Sequence, residues 1–217
     1  MSTPWRSIRK EVESTADRYL VCVSGGVDSI FLLDFLNNSD VAIEVVHFNH
    51  DMRADSVEDL RLVEKYAAEH NIPCWSITAE NLTPASSENA AREARWTFIE
   101  KIADFRGIQH IVTGHHADDQ VENVFIRLMR GDPHFALTMD KLTEVNGFIR
   151  YKPLLDVAKD VIIRQATKLG LEWNEDSTNV SNRYDRNFVR NVLLPLLSTR
   201  TNIQKSILTG IDKTNNY

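Results

Sequence analysis

A chain of 217 residues suits one α/β domain, and its 42% apolar and 26% charged residues are typical of globular proteins. It shows neither a signal-peptide core nor an apolar run of the roughly 20 residues that a membrane helix needs, which favours a cytoplasmic protein without membrane contact. The net charge of −6 argues against a nucleic-acid partner, but residues 1–120 hold 11 basic and 20 acidic side chains, whereas residues 121–217 hold 14 and 11. The stretch 182–217, with six basic and two acidic residues, is therefore a candidate phosphate-binding end.

Strand-like and helix-like segments alternate along the chain. The patterns predict strands at 19–23, 41–47, 73–77, 110–113 and within 148–155. They predict helices at 28–37, 56–70, 87–105, 117–130, 157–169 and 187–197, with Pro195 expected to bend or end the last one. This order predicts an α/β fold, a Rossmann-like and mostly parallel sheet with helices on both faces. Ligands bind beyond the carboxyl ends of such strands, so the loops after Val23, His47 and Thr113 should face one crevice.

The most specific motif is a glycine-containing loop directly after the first strand, where a helix begins. It consists of Ser24, Gly25, Gly26, Val27, Asp28 and Ser29. The glycines allow a tight turn and close approach to a ligand, and the N–H groups that open the helix suit a phosphate. A carboxylate at Asp28 makes chemical sense beside phosphates if Mg²⁺ lies between them, so Asp28 is also the candidate metal ligand. A plain Gly-Gly turn is the structural alternative, and the Walker pattern is absent.

This loop resembles the pyrophosphate-binding loop of the PP-loop ATP pyrophosphatases, which split ATP into AMP and pyrophosphate and adenylate a carbonyl oxygen. Four further segments resemble the tRNA(Ile)-lysidine synthetase branch of that family: 46–53 (VHFNHDMR), 88–96 (ENAAREARW), 113–131 (TGHHADDQ to RLMRG) and 173–195 (WNEDSTN to YDRNFVR and LP). The five motifs occur in order from about Leu20 to Leu197. The resemblance implies an N-terminal PP-loop domain with the adenine nucleotide alpha hydrolase-like fold.

The chain departs from the family pattern in several places. The stretch 132–138 replaces a glycine-rich one, Asn123 replaces a threonine, and Asp51-Met52 replaces Gly-Leu. The chain stops soon after the last motif, so we expect one PP-loop domain over 1–217, with 182–217 as a helical basic extension and no further tRNA-binding domains. These departures bear on tRNA affinity more than on the chemistry.

The resemblance and the residue types together select the candidate site residues. Catalytic candidates are Asp28, Arg95, His115 and Asp119. Candidates for holding the nucleotide, besides the residues 24–29, are His47, Asn49, Arg92 and Arg186. Arg92 and Arg95 share a polar helix face, where they are either solvated or close enough to neutralise developing charge, and the choice between them stays open. His115 and Asp119, four residues apart, could bind Mg²⁺ with Asp28, orient a nucleophile or accept a proton, whereas packing is the default role for His116.

The resemblance implies a two-step reaction that uses ATP and Mg²⁺. ATP would adenylate the C2 oxygen of the wobble cytidine of a tRNA(Ile) with a CAU anticodon, and the side-chain amine of free lysine would then displace AMP to form lysidine. The target base must leave its stack, and Trp96 or Phe48 could receive it, although both residue types are more often core residues. A homodimer would let two basic ends share one tRNA.

Three alternatives remain. A cytidine thiolase of the same family should carry extra cysteines, usually in C-x-x-C pairs, whereas Cys22 and Cys74 lie in apolar runs that favour buried thiols in a reducing compartment. A metal-dependent phosphohydrolase would explain the His and Asp cluster but leaves the glycine loop without a role. A non-catalytic module that binds nucleotide or tRNA would not need Asp28, Arg95, His115 or Asp119.

Overall fold

The computed structural model describes residues 3–49, 56–79, 88–131, 138–175, 185–200 and 202–215. Parts of two family motifs, at 50–53 and 176–184, lie outside the described residues. The strands are β1 (Arg18–Cys22), β2 (Ala42–Asn49), β3 (Cys74–Thr78), β4 (His110–Val112), β5 (Leu142–Val145) and β6 (Phe148–Tyr151). The helices are α1 (Thr3–Thr15), α2 (Val27–Asn37), α3 (Ser56–Glu69), α4 (Glu88–Arg106), α5 (Ala117–Arg130), α6 (Lys159–Leu169), α7 (Asp185–Phe188), α8 (Leu194–Ser198) and α9 (Ile203–Asn215).

The described strands form one sheet in the order β3-β2-β1-β4-β6-β5. All neighbours are parallel except β5 and β6, which form an antiparallel pair at the edge. The predicted α/β fold with a mostly parallel sheet is confirmed. The chain winds from β1 outward through β2 and β3, then returns to place β4 on the other side of β1. This reversal between β1 and β4 is the topological switch point, where ligands bind in open α/β sheets.

The two faces of the sheet are covered by different helices, as the alternation of side chains along β1 requires. Tyr19 and Val21 are fully buried on the face that α1, α2 and α6 cover. Leu20 points the other way and packs with Ile99 and Ala103 of α4. Eight of the eleven residues of α2 are buried, so this helix is fixed on nearly all sides and holds the preceding loop in place.

The edge hairpin differs from the predicted strand within 148–155. The strand is only four residues long, and its partner β5 precedes it across Asn146 and Gly147, which have φ angles of 54° and 82°. Positive φ at both central residues defines a tight hairpin turn, and Asn-Gly is its strongest sequence signal. The turn signal was therefore present in the sequence, but the strand before it is too short and too weakly apolar to be predicted, so the hairpin was missed.

The C-terminal segment begins with α7 and α8, which are joined by a π-helical turn over Val189–Leu193. Pro195 is the second residue of α8. Because proline has no N–H to donate to the preceding turn, the helix changes geometry just before it, as the sequence predicts. Within the ranges given above, no helix is both long and apolar enough to cross a membrane.

The carboxylate of Glu44 on β2 is the main buried charge outside the crevice. It accepts hydrogen bonds from Arg106 Nε at 2.9 Å, from Trp75 Nε1 at 2.8 Å and from Arg18, and its side chain is 5% exposed. Burial raises the pKa of this carboxyl, but the bonds from Arg106, Arg18 and Trp75 lower the pKa more, so the net shift is downward.

We expect Glu44→Ala to lower the free energy of unfolding by roughly 3 kcal/mol, because it leaves two partly buried arginines without their counter-ion. Since the folded pKa is depressed, the stabilisation is present above the ordinary value of 4.5 and is lost as the pH falls below it. Urea unfolding at several pH values measures both effects. The matched control is Glu172→Ala, which removes a solvent-exposed ion pair with Lys65 and should change little. Equal losses in the two variants would contradict this reading of Glu44.

Candidate active site

The loop between β1 and α2 is held by hydrogen bonds among its own residues. The Ser29 hydroxyl donates to the Gly26 carbonyl oxygen at 2.9 Å, and the Ser29 hydroxyl oxygen accepts from the Ser24 backbone N–H at 3.1 Å. Gly25 has a φ of +93°, and a Cβ placed there would lie 2.9 Å from Asp59 Oδ1. Only glycine therefore fits at position 25. The Gly25 carbonyl also accepts the Asn174 N–H at 3.0 Å, so the start of the last family motif braces this loop.

The first turn of α2 faces the switch point with N–H groups that no side chain caps, because its N-cap residue is Gly26. Uncapped N–H groups and the positive end of the helix dipole together favour an anion. Val27 and Ser29 are buried beneath this turn, so the loop presents mainly backbone to a ligand. The geometry agrees with the phosphate-binding role predicted for residues 24–29.

Asp28 lies at the centre of the crevice and contacts residues from two other elements. Its Oδ2 atom is 3.2 Å from Lys159 Nζ and 3.5 Å from His116 Nε2. Burial raises the pKa of Asp28, but the hydrogen bond and charge of His116 and the charge of Lys159 lower it more, so the carboxyl is held ionised. Lys159 was missed from the sequence, since it lies 131 residues away in an ordinary helix start. The Asp118 side chain accepts the Lys159 N–H at 2.8 Å, which ties the start of α6 to the start of α5.

The loop after β4 packs directly against the start of α2. A Cβ on Gly114 would lie 3.0 Å from the carbonyl carbon and oxygen of Asp28 and 3.2 Å from the Ser29 nitrogen. His116 and Asp119 form a capping box at the start of α5. The His116 N–H donates to Asp119 Oδ2 at 3.0 Å, and the Asp119 N–H donates to His116 Nδ1 at 3.4 Å. This second bond leaves Nε2 facing Asp28.

His116 therefore does more than pack. It is 2% exposed, caps α5 and contacts Asp28 at once. Burial lowers its pKa, but the hydrogen bond to Asp28 and the charge of Asp119 raise the pKa more, so the net shift is upward. The pKa of the adjacent His115 is lowered instead. Nothing in the sequence indicates this difference between the two histidines.

His115 is a neutral imidazole in a cationic environment. Burial lowers its pKa to about 4, and only the charge of Asp119 opposes the shift. Three nearby cations add to the lowering: Arg186, Lys152 and Arg95. The Nδ1 atom lies 2.8 Å from the Thr113 hydroxyl, so this nitrogen is committed to the strand end and a substrate contact would use Nε2. At neutral pH the ring is thus unprotonated and can accept a proton.

A carboxylate and two arginines connect α5 to the C-terminal segment. Glu122 is 2% exposed and accepts two bonds from Arg190, at 2.6 and 2.9 Å, while Arg186 Nε lies 3.6 Å from it. Arg190 also approaches Asp119 Oδ1 at 3.9 Å. Burial lowers the pKa of Arg190, but Glu122 and Asp119 raise the pKa more. Glu122 and Arg190 lie in the family motifs, and the spacing of Arg186 and Arg190 on one helix face predicts contacts with ATP phosphates or tRNA. The pairing of Arg190 with Glu122 was not predicted, because the two residues are distant in the chain.

The remaining predicted residues surround this centre. His47 is 2% exposed; its Nδ1 lies 2.8 Å from the Val23 carbonyl oxygen, and burial lowers its pKa. Its buried Nε2 has no hydrogen-bond partner among the described residues, which leaves an acceptor beside the loop. Asn49 is buried at the end of the same strand. Arg95 is partly buried beside Cys22 and His115, whereas Arg92 is exposed one turn earlier on α4.

Both cysteines are poorly reactive. Burial raises the pKa of Cys22 to about 12 and that of Cys74 to about 11. Phe48 packs near Phe98, with ring centroids 6.0 Å apart. Both cysteines are free thiols, as expected, but each is only partly buried, which differs from the predicted full burial.

An uncapped helix start at a switch point, facing a neutral histidine, carboxylates and arginines, defines a nucleotide-using α/β enzyme. Residues 3–197 match the model of the PP-loop domain family, and the chain belongs to that family, whose members use ATP.

Two curated relatives indicate the branch within the family. The bifunctional protein TilS/HprT of Listeria monocytogenes serovar 1/2a is 37% identical over 191 residues, 83% of this chain and 30% of that protein. The tRNA(Ile)-lysidine synthase of Bacteroides thetaiotaomicron is 34% identical over 208 residues, 93% of this chain and 47% of that protein. The chain thus spans less than half the length of either relative.

A solved structure supports the fold independently. The U34-tRNA thiolase NcsA from Methanococcus maripaludis, determined with its [4Fe-4S] cluster, matches with a TM-score of 0.79 over 99% of this chain and 79% of that chain. At 18% sequence identity the likeness concerns the fold alone.

Gly114→Ala should weaken ATP binding, because the added methyl group meets backbone atoms of Asp28 and cannot be accommodated by a side-chain rotation. Overpacking costs about 1–3 kcal/mol, and about 1.4 kcal/mol is tenfold in Kd, so we expect a roughly tenfold or larger rise in Kd. Calorimetric titration with ATP measures it. Gly210→Ala is the matched control, since its Cβ would meet nothing within 4 Å. Unchanged ATP affinity in Gly114→Ala would contradict the close packing of the two loops.

The imidazole of His115 should titrate with a midpoint near pH 4, far below the ordinary value of 6.5. Because the unfolded chain binds this proton more readily, the folded state should lose stability as the pH falls from 6.5 toward 4. An NMR titration of the histidine ring signals, assigned with His115→Asn, measures the midpoint, and the variant should lack the corresponding loss of stability. A midpoint at the ordinary value would show that the ring is solvated and its cationic surroundings are absent.

Proposed function

We propose that this domain is a tRNA-modifying ligase that adenylates the wobble cytidine of tRNA(Ile) with a CAU anticodon and joins lysine to it, releasing AMP and pyrophosphate. The observation that carries the proposal is the meeting of two sets of groups in one crevice. One is the phosphate-binding loop with Asp28, and the other is the set His115, Asp119 and Glu122 on the loop after β4 and on α5. The relatives named above as lysidine synthases favour this assignment over other ATP-dependent reactions.

ATP would bind with its phosphates over the start of α2. The N–H groups of residues 25–28 supply donors, and Lys159 supplies the positive charge that a Walker lysine gives elsewhere. The Ser24 hydroxyl, which contacts Ser29 in this structure, would add a donor by rotating toward the phosphates. The adenosine would lie toward the end of β2, where His47 Nε2 can accept a hydrogen bond from an amino or hydroxyl group and Asn49 supplies an amide.

Asp28 is the proposed protein ligand of Mg²⁺. Its Oδ1 atom is buried and has no hydrogen-bond partner in the described part of the chain, so this oxygen can face a cation. Over the same ranges no three His, Cys, Asp or Glu side chains cluster as a self-sufficient metal site. That arrangement is compatible with Mg²⁺, which is commonly held by one or two carboxylates together with substrate phosphates and water. When bound, the ion would supply charge neutralisation at the phosphates.

Adenylation requires that negative charge on the α-phosphate be neutralised while the cytidine oxygen attacks. Arg95 and Arg186 are the proposed residues for this step, since both lie close enough to His115 to lower its pKa. The same closeness favours Arg95 over Arg92, which is exposed one turn earlier on α4. An amide-like oxygen is a poor leaving group, and the AMP ester makes it a good one.

Lysine must lose a proton from its side-chain amine before it attacks. Asp119 is the proposed acceptor, because it lies in the crevice beside His116 and can form a hydrogen bond to an ammonium group. The neutral His115, whose lowered pKa makes it a weak base, would accept a hydrogen bond from the same group and orient it. Glu122 would add a second carboxylate on the same helix face, with Arg190 fixing its orientation through two bonds.

The partners and the location belong to the same proposal. A tRNA would contact the basic C-terminal half, chiefly Arg186, Arg190, Arg200 and Lys205, and the role of 182–217 as an extension for this purpose stays a prediction. So do a homodimer and a cytoplasmic location. The thiolase alternative is less favoured because burial raises the pKa values of both thiols, which makes them poor sulfur carriers.

Asp28→Asn should remove lysine transfer to tRNA almost completely while the fold persists, because the amide keeps the size but loses the charge that Lys159, His116 and Mg²⁺ share. The assay incubates the protein with ATP, Mg²⁺, radiolabelled lysine and tRNA(Ile) and counts label in the tRNA, with circular dichroism to verify folding.

Asp160→Asn, which breaks an exposed ion pair with Arg164, is the matched control and should retain transfer. Lysine transfer by Asp28→Asn at the wild-type rate would remove Asp28 from the site. A mass gain on the tRNA of one sulfur atom, in place of one lysine, would move the protein to the thiolase class.

A further inference from the structure

An open pocket of about 400 Å³ lies on the outer side of α4, next to the edge hairpin. Its volume falls within the range of small-ligand sites. No step of the proposed reaction uses it. The lining residues come from three turns of α4 and from the β5–β6 hairpin. Those relevant to a ligand are Asn89, Arg92, Glu93, Trp96, Glu100 and Arg150.

The floor of the pocket contains a stacked pair of flat groups. The Arg150 guanidinium carbon lies 3.6 Å from the centroid of the Trp96 ring, which is the distance of face-to-face contact. Glu100 Oε1 accepts a hydrogen bond from Arg150 at 2.6 Å and keeps the guanidinium in that plane. Among the described residues, Trp96 Nε1 and Arg150 Nε are buried without hydrogen-bond partners. A planar ligand could extend the stack.

The charges around the stack distinguish between ligand classes. Glu93 and Glu100 would repel a phosphate placed in the pocket itself. The exposed Glu93 carboxylate instead suits an amino group on the edge of a nucleobase, and the Asn89 amide can serve either edge. Glu100 already accepts hydrogen bonds from Arg150 and Asn146. Bases that leave a loop stack are commonly held on aromatic rings or on guanidinium planes, which is the arrangement present here.

A series of cations connects the pocket with the catalytic crevice. Arg92, on the pocket wall, is close enough to Arg95 and Lys152 to lower the pKa values of both. Arg95 and Lys152 in turn lower the pKa of His115. A phosphodiester backbone that follows these cations would run from the pocket to the neutral histidine.

We propose that this pocket binds an unstacked nucleobase of the RNA substrate, a neighbour of the base that reacts. The proposal rests on the proposed function for its RNA substrate. The reactive base lies at His115 and Asp28, and the neighbouring base stacks on the Arg150–Trp96 pair. The pocket thereby positions the backbone between them, and its residues are positioning residues, not catalytic ones.

The test uses an anticodon stem-loop RNA in which the fluorescent base 2-aminopurine replaces, in turn, each loop position flanking the target cytidine. Stacking quenches this base. We expect quenching at one position on binding to the wild-type protein, and loss of that quenching in Arg150→Met and in Glu93→Gln. Glu93 is exposed, so its variant tests the pocket without disturbing the core. Glu58→Gln, an exposed carboxylate on α3, is the matched control and should quench like wild type.

Kinetics with full-length tRNA supply the second readout. Loss of one stacked base should raise KM for tRNA roughly tenfold in Arg150→Met, with kcat changed much less and the Kd for ATP unchanged. Quenching that persists in both pocket variants, or no quenching at any loop position, overturns the proposal. The quenching assay needs neither ATP nor lysine. A wild-type protein that quenches at one position but transfers no lysine would therefore refute the proposed function and leave the pocket assignment supported.

Discussion

The contact between the start of α2 and the loop after β4 is the constraint on which the site depends. The two segments come from neighbouring strands on either side of the switch point, and they approach so closely that only glycine fits at position 114. This approach places His116 against Asp28, and Lys159 reaches the same carboxylate because Asp118 holds the start of α6. The ionised Asp28 is therefore fixed by three elements at once, which pre-organises the charge at the point where phosphates would bind.

The two histidines of one dipeptide acquire opposite properties from this packing. His116 caps α5 and faces carboxylates, which raise its pKa, while His115 lies among arginines and a lysine, which with burial lower its pKa to about 4. The two rings therefore differ in proton affinity although they are neighbours in the chain. Such divergence of neighbouring groups gives them different roles within one site.

The sequence was sufficient for the fold, and it named most of the residues that the structure brings into the crevice, because the relevant signals are local. The glycine loop, the strand ends and the His and Asp residues after β4 all follow from short patterns and the rules of parallel sheets. Lys159 could not be found that way, because its role exists only through a contact across 131 residues. The pairing of Glu122 with Arg190 is invisible for the same reason. The edge hairpin was missed for a different reason. The Asn146-Gly147 turn signal is present in the sequence, but the segment before it is too weakly apolar to be recognised as a strand.

The π-helical turn at Val189–Leu193 has a consequence for how this segment could be stabilised. A π turn holds one residue more than the helix needs, and its hydrogen bonds are weaker than those of a regular turn. Arg190 lies within it and forms two bonds to Glu122. Deleting one residue would restore a regular helix, but it would rotate the guanidinium by about 100° away from that carboxylate and leave a buried charge without its counter-ion. Making this segment a regular helix would therefore remove the alignment that the irregular turn provides.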